Sequence, residues 1–461
     1  MVSKKNNDVV LDVLIAGGGL GGLAAAIAMR RAGHKVTVLE AASALSEIGA
    51  GIQVPPNTSR ILDAWDLLER FKTKVVWPSA INMRRYSTGE VIGSTPLKPK
   101  MTQVYGYPYL LIHRADYQQL LFDAANELGA NIILNARVES VDDNAISIKT
   151  ADGKVYKGDL IIGADGIRSK TRLAVMPDEV VEPRASTNCA YRATVPAAVM
   201  RADPVVSHLM NDPNSNCWIG YRRHVMAYPI RNGELYNLVM SHPGHTSELG
   251  KWNEPSNLEE MKWHYRKFDP VIQRVLSKVT SCLKWTLADL PVLSNWISPS
   301  GRVCVIGDAA HAMLPYLAQG AATAVEDGAT LGVLFSDVKS VDDIPFLLNL
   351  YEKIRRPRCE KIQKGAYENS DIWHMPDGDD QIARDKAMKA DDVLVNKESA
   401  PEVREVKKLA PLTNPNQWSD GNFQPWLFGH DAIKVAKIRL TEARNSSTSN
   451  GNGELYATSS I

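Results

Sequence analysis

The stretch Val9-Val10-Leu11-Asp12-Val13-Leu14-Ile15-Ala16-Gly17-Gly18-Gly19-Leu20-Gly21-Gly22 sets the architecture of the N-terminal half of the chain. Its apolar first half has no alternating polar positions, so it predicts a strand buried on both faces. The glycines turn the chain. Leu23 to Ala32 is rich in alanine and predicts a helix, which Gly33 stops. Lys35 to Leu39 predicts the next strand, with Glu40 at its end. This strand–turn–helix–strand unit is half of a nucleotide-binding sheet. Within it, Gly17, Gly19 and Gly22 form the pattern GxGxxG. Gly17 permits the tight turn, Gly19 lets the backbone approach a pyrophosphate, and Gly22 lets the helix pack close to the sheet. The anion would sit on unpaired N–H groups at a helix N-terminus. Glu40 stands where a carboxylate accepts hydrogen bonds from a ribose, and it argues against a 2′-phosphate there. The fingerprint by itself does not separate FAD from NAD.

Outward from this unit, Asp116 to Leu128 predicts an amphipathic helix closed by Gly129. Short strands are expected over 131–134, 136–141, 145–150 and 154–156, with Asp152-Gly153 as a hairpin turn. Leu160 to Gly163 predicts another buried strand, leading into Ala164-Asp165-Gly166. From about Val180 to Ala288 turn residues recur between β-type runs (Asn188 to Val195, Trp218 to Tyr221, Leu235 to Met240), with one helix near Leu258 to Ser277. Arg302 to Ile306 then predicts a strand of the first domain. Helices are expected next at Ala321 to Phe335 and Pro345 to Gly365, where Pro357 should kink or split the second. The expected class is α/β. A three-layer Rossmann-like domain (1–179, resumed at 289–370) is interrupted by a β-sheet domain (180–288). A C-terminal helical region (371–444) and a disordered Ser/Thr/Asn/Gly-rich tail (445–461) complete the chain. Such a layout leaves a cleft between domains, where small-ligand sites tend to lie.

Bulk properties narrow the function. Lys plus Arg is 53 against 52 for Asp plus Glu in 461 residues, so no charge excess points to nucleic acid. No apolar run reaches the roughly 18 residues of a spanning helix. Met1 to Asp8 is polar, and the apolar stretch after it is too short for a signal sequence. Cys189, Cys217, Cys282, Cys304 and Cys359 show no CxxC spacing. That argues against a disulfide framework and a zinc site, and a cytoplasmic setting with no metal is expected.

Two later stretches separate the cofactors. One is Gly163-Ala164-Asp165-Gly166-Ile167-Arg168-Ser169. The other is Gly307-Asp308-Ala309-Ala310-His311-Ala312-Met313-Leu314-Pro315-Tyr316-Leu317-Ala318-Gln319-Gly320-Ala321-Ala322, continued by Glu326-Asp327-Gly328. With the N-terminal fingerprint, they resemble in order and spacing the three signatures of the class A flavoprotein aromatic hydroxylases. Salicylate hydroxylases and the fungal FAD monooxygenases of secondary metabolism are the nearest likeness. The resemblance runs from about residue 10 to 370, and more faintly over Trp426 to Ala432. It implies non-covalent FAD, with NAD(P)H as co-substrate. Glu40 would bind the adenosine ribose and Arg114 the FAD phosphates. Asp165 would organise the pyrophosphate region and the NAD(P)H contact. Asp308 would hold a ribityl hydroxyl, and Pro315 would lie beside the isoalloxazine. Gly320 and Ala321 would open a helix toward the flavin pyrimidine. A helix N-terminus carries about half a positive charge, which would stabilise the anionic reduced flavin. The loop ending at Gly51 would border the ring, and its Glu47 would contact NAD(P)H or substrate, or be solvated. His311 reads as packing rather than as an acid or base.

The resemblance also implies the chemistry. NAD(P)H reduces FAD, O2 adds to form a flavin C4a-hydroperoxide, and an OH passes to a carbon made nucleophilic by a phenolate or an indole nitrogen. Arg192 and Tyr221 fall where the fungal branch carries an active-site Arg and Tyr. An arginine is a poor base but can pin a phenolate or an oxyanion, and Tyr221 could share a proton with the substrate hydroxyl. A flavin halogenase fits poorly, because Asn295-Trp296-Ile297-Ser298-Pro299 lacks the Trp-x-Trp-x-Ile-Pro pattern. A reductase or oxidase on this fold, or a flavin-binding module without turnover, stays open. So does the substrate: hydroxylation of a phenol or salicylate-like acid, or 2,3-epoxidation of an indole in alkaloid assembly. A small basic pocket would favour the first, and one large enough for a polycyclic indole the second. Monomer and homodimer are equally compatible with the sequence.

Overall fold

The computed structural model describes residues 9–44, 51–245, 253–389 and 411–450. The strand Asp12–Ala16 occupies the centre of a parallel five-stranded sheet. Leu160–Gly163 and Val303–Val305 lie to one side, and Lys35–Leu39 and Asn131–Ile133 to the other. Central parallel strands are covered on both faces, and Val13 to Ala16 are buried accordingly. The helix Leu20–Arg31 starts three residues earlier than expected, because Gly19 is its N-cap and Gly21 and Gly22 lie within its first turn. It packs against the helix Gly320–Leu334 through small residues. A Cβ at Gly328 would come within 2.8 Å of Ala25 N, and one at Gly332 within 2.6 Å of the Ala28 Cβ. The strands Val138–Asp142, Ser147–Thr150 and Val155–Lys157 form a separate three-stranded antiparallel sheet. Gly153 takes φ +84° in its expected turn.

The larger sheet has eight strands, in the order Asn253–Pro255, Leu283–Asp289, Arg184–Pro196, Leu235–Pro243, Arg223–Ile230, Ser215–Gly220, Ala80–Arg85 and Val91–Pro96. Its last two strands come from inside 1–179, the span that the sequence assigns entirely to the nucleotide-binding domain. Ala80–Arg85 pairs in parallel with Ser215–Gly220, more than a hundred residues away, and a pairing so remote leaves no local trace in sequence. Arg223–Ile230 is a further strand beyond those expected. It joins Leu235–Pro243 through a hairpin with Asn232 and Gly233 at φ 51° and 82°.

Two helix expectations change at prolines. The single helix over 258–277 is two, Leu258–His264 and Pro270–Leu276. Asp269 caps the second by accepting from Val271 N at 3.0 Å, and Pro270 sits at its first position. Pro357, by contrast, lies inside an uninterrupted helix, Ile344–Trp373. Arg355 and Arg358 on either side of it are anchored to Glu326 and Asp327, which holds the helix through the proline. The C-terminal part contributes Asp379–Ala387, Phe423–Phe428 and Ala432–Asn450. The last helix continues to Asn450, into the segment expected to be disordered, and just before that segment Arg444 is tied to Asp337 at 2.6 Å. Residues 451–461 lie outside the described residues. Among the described residues no helix is long and apolar enough to cross a membrane.

Candidate active site

Three glycines shape the cofactor end of the site, and they do so differently. A Cβ at Gly17 (φ +99°) would stand 2.4 Å from Ala164 O, and one at Gly22 would stand 2.0 Å from Gly17 O. Gly19 has nothing within 4 Å of the place its Cβ would take. Two positions are therefore closed by protein, and the third faces space that a phosphate could fill. Arg114, at the start of the helix Arg114–Glu127, lines the same cavity as Gly19. Glu40 borders an adjoining groove of about 980 Å³ together with Arg137. Its carboxylate accepts from Gly18 N at 2.6 Å and from Ala42 N at 2.7 Å. Asp165 is more occupied than expected. Its Oδ1 accepts from Ser169 Oγ at 2.6 Å, and its Oδ2 from the backbone N–H groups of Lys170 and Thr171 at 2.7 and 3.0 Å. It shapes the loop from within and also lines the groove beside Glu40. Gly19, Ala164 and Gly166 line both groove and cavity, so the two form one slot.

The cavity holds about 350 Å³. Asp308, Pro315, Gly320 and Ala321 line it, as do Gly51 and Gln53. The Asp308 side is pinned from behind by a buried ionic cluster. Asp327 Oδ2 accepts from Gly307 N at 3.0 Å and pairs with His311 Nε2 at 2.7 Å, while Asp327 Oδ1 accepts from Arg355 Nε at 2.8 Å. Asn57 Nδ2 bridges Glu326 at 2.7 Å and Gln319 at 3.1 Å, and Gln319 is the N-cap of the helix facing the cavity. Burial pushes the Glu326 carboxyl up, but Arg358 and Arg355 outweigh it and hold the group far below the ordinary range. Burial likewise lowers the His311 imidazole, yet Cys359 and Asp327 raise it further, so it carries charge. His311, expected to pack, thus packs as half of an ion pair. His311, Asp327 and Cys359 lie within metal-ligand reach of one another, but Arg355 already supplies the cation there.

The opposite wall is one face of the eight-stranded sheet. Arg192, Val239 and Met226 form a row across three paired strands, and all three line the cavity. The Arg192 guanidinium lies over the Trp285 ring at 5.2 Å. Tyr221 is not brought here. It sits in the turn between Ser215–Gly220 and Arg223–Ile230, 53% exposed and outside the cavity lining. The tyrosine that faces the cavity is Tyr228, on the strand Arg223–Ile230. A Cβ at Gly51 would stand 2.5 Å from Tyr228 Cε2, so the glycine of that loop makes room for the ring. Burial pushes the Tyr228 phenol well up, against the smaller opposing pull of Arg192 and Gln53, so it is a hydrogen-bond donor and not a base. Sequence reasoning also missed His224, Gln53, Trp373 and Trp418 in the lining. For Tyr228 and His224 a signal existed: Asn232-Gly233 is a strong hairpin mark, and the strand before it carries His224, Met226 and Tyr228 at every second position. Glu47 lies outside the described residues.

Residues 10–366 match the FAD binding domain family. The chain is 37% identical to FAD-dependent monooxygenase OpS4 of Beauveria bassiana (strain ARSEF 2860), over 94% of this chain and 98% of that protein. The chain belongs to the FAD-dependent monooxygenases. It is also 33% identical to 3-hydroxybenzoate 6-hydroxylase of Polaromonas naphthalenivorans (strain CJ2), over 80% of this chain and 90% of the relative. Among solved structures, a salicylate hydroxylase substrate complex aligns with TM-score 0.73 at 24% identity, covering 93% of this chain and 98% of that one. CtdE in complex with FAD and a substrate aligns with TM-score 0.76 at 22% identity, covering 95% of this chain and all of that one. At these identities the structures attest the fold. In this FAD-dependent monooxygenase the slot suits an extended dinucleotide. The groove at Glu40 can take the adenosine, the open face of Gly19 with Arg114 the pyrophosphate, and Asp308 with the Gly320 helix the ribityl chain and ring.

Proposed function

We propose that the enzyme uses NAD(P)H and O2 to hydroxylate a small, single-ring phenol or hydroxybenzoate. The observation that carries this is the size and lining of the cavity. The flavin ring must share about 350 Å³ with the substrate, near the lower end of ordinary ligand pockets. What remains suits one aromatic ring better than a polycyclic indole. The charge also fits, because Arg192 stands on the sheet wall facing the flavin side.

The chemistry that bound FAD supplies is hydride acceptance from NAD(P)H and activation of O2. The chain's own residues do the rest. Arg192 is cationic at any working pH and holds the substrate's oxygen as phenolate, which makes the ring nucleophilic. Tyr228, kept protonated by burial, donates to the same substrate edge in the role expected of Tyr221. Trp373 and Trp418 line the cavity and orient the ring. Several relatives carry names of the same kind, 3-amino-4-hydroxybenzoate 2-monooxygenase of Streptomyces cremeus and 3-hydroxybenzoate 6-hydroxylase 1 of Aquipseudomonas alcaligenes among them.

The test is substrate-stimulated NAD(P)H oxidation by the FAD-loaded enzyme across a panel of hydroxybenzoates, simple phenols and indoles. Stimulation by single-ring phenols with hydroxylated product supports the reading. Stimulation confined to indoles overturns it in favour of epoxidation, and NAD(P)H consumption without an oxygenated product points to a reductase or oxidase.

A further inference from the structure

Arg192 stands on the strand Arg184–Pro196, and its direct partner on the neighbouring strand Leu283–Asp289 is Leu283. Trp285, two residues further along and opposite Ala190, is the diagonal neighbour of Arg192 on the same face of the sheet. Leu287, the next residue of that strand to share the face, joins Ala190, Met226 and Tyr228 in one apolar cluster. The Arg192 guanidinium carbon lies 5.2 Å from the centre of the Trp285 ring. Trp285 is half-buried and outside the cavity lining. Its Nε1 is buried with no hydrogen-bond partner among the described residues. Packing and the cation therefore hold the indole, not a hydrogen bond. The opposite face of the same two strands carries a second contact of this kind, Lys284 over the Tyr191 ring at 5.9 Å. There Glu260 also meets the ammonium, at 3.2 Å, so a carboxylate answers that charge.

We propose that Trp285 is the positioning residue for Arg192: its ring face fixes the guanidinium so that the N–H edge, and the full positive charge, are presented to the substrate oxygen. The inference rests on the phenol reading of the site and says how that site selects an anion. A guanidinium is planar, so its face can lie on an aromatic ring while its N–H bonds point outward in the plane. Stacking on Trp285 occupies the face and leaves the edge for the cavity. An indole attracts the cation through its ring quadrupole and adds no counter-charge. A carboxylate in its place would hold the side chain equally well and neutralise it. A substrate oxygen beside a cation held in this way is favoured in its ionised form, because an adjacent positive charge lowers the pKa of a phenol. The contact also restrains a long, flexible side chain before the substrate arrives, so less ordering remains to be done on binding.

The test reads the ionisation of a bound ligand. 4-Nitrophenol is titrated into the FAD-loaded enzyme without NAD(P)H, and the fraction present as phenolate is followed by absorbance across pH. In the wild type the bound ligand should ionise at a lower pH than the free phenol. Trp285→Leu should weaken that preference for phenolate about tenfold, within what a cation–π contact away from water supplies. Trp285→Phe keeps a ring face and gives up no hydrogen bond, so it should recover most of the preference. Fluorinated tryptophans placed at position 285 separate charge from packing. Ring fluorines withdraw electron density from the face and keep the shape of the indole, so the preference should fall stepwise with each added fluorine. In an Arg192→Ala background neither Trp285→Leu nor fluorination should change the ionisation further, because two residues that act through one contact are not additive. A preference unchanged across the fluorinated series overturns the proposal, and so does an equal effect of Trp285→Leu with and without Arg192. The fluorinated proteins keep the ring, so they decide the matter even where Trp285→Leu fails to fold. If the wild type binds 4-nitrophenol without lowering its ionisation pH, or does not bind it, the phenol reading fails and this inference with it. If the wild type lowers it and fluorination has no effect, only the role of Trp285 fails.

Discussion

The two faces of the eight-stranded sheet are built from the same strands and do opposite work. Along Arg223–Ile230, His224, Met226 and Tyr228 face the cavity, while Val225 and Ala227 belong to a closed hydrophobic cluster on the other side. Along Arg184–Pro196, Arg192 faces the cavity and Tyr191 the closed side. The closed face has its own polar apparatus. Tyr191 donates to Glu260 at 2.9 Å and stacks on His242 at 4.3 Å, and Trp218 donates to Asp269 at 2.9 Å. Those groups pair with one another across the closed face, whereas the cavity face presents His224 and Arg192 where a second ring can lie. The difference shows that in a sheet enzyme the side-chain period of two, more than residue type, separates chemistry from support.

The sharpest way to break this contrast is to exchange neighbours of opposite face. Arg192→Ala should lower product formation by about 10²–10³-fold, the range for losing one preorganised oxyanion partner, with FAD content unchanged. Tyr191→Phe, one residue away, should leave steady-state turnover close to wild type. Next, Tyr228→Phe should cost about 10²-fold in product formation, and Tyr221→Phe should cost nothing measurable in the same assay. A comparable loss in both would mean that the turn closes over the site. Gly51→Ala would set a Cβ 2.5 Å from the Tyr228 ring. It should push Tyr228 aside and lower turnover by about tenfold, less than removal of its hydroxyl. The smallest effect belongs to the closed face: Tyr191→Phe should reduce unfolding stability by about 1 kcal/mol in a denaturant titration, the usual worth of one hydrogen bond.

The nucleotide half is far more legible in sequence than the substrate half, for a physical reason. Gly17, Gly19, Gly22 and Glu40 act within one continuous strand–turn–helix–strand unit, so their roles follow from local backbone geometry. Asp308, Pro315, Gly320 and Ala321 likewise sit in one short stretch that the structure places on the cavity. The substrate wall is assembled from distant pieces. Ala80–Arg85 joins a sheet made mostly of later residues, and Trp373 and Trp418 arrive from the C-terminal part. Arg192 is legible because its strand, Arg184–Pro196, shows as a β-type run. Tyr228 is not, because its strand hides: seven of the eight residues of Arg223–Ile230 are buried, which erases the alternation that marks a half-exposed strand and leaves Tyr221 as the more visible tyrosine. The hairpin at Asn232-Gly233 is the surviving clue. Asp165 does two things at once: its bonds hold its own loop, and it lines the groove beside Glu40.

The most direct measurement is turnover of the FAD-loaded enzyme with NAD(P)H, labelled O2 and a stimulating single-ring phenol, with mass spectrometry of the product. One labelled oxygen atom on the ring is expected in wild type and in Tyr221→Phe, with that product nearly lost in Arg192→Ala. Unlabelled product, or full labelled product from Arg192→Ala, would contradict a phenol hydroxylase built around Arg192.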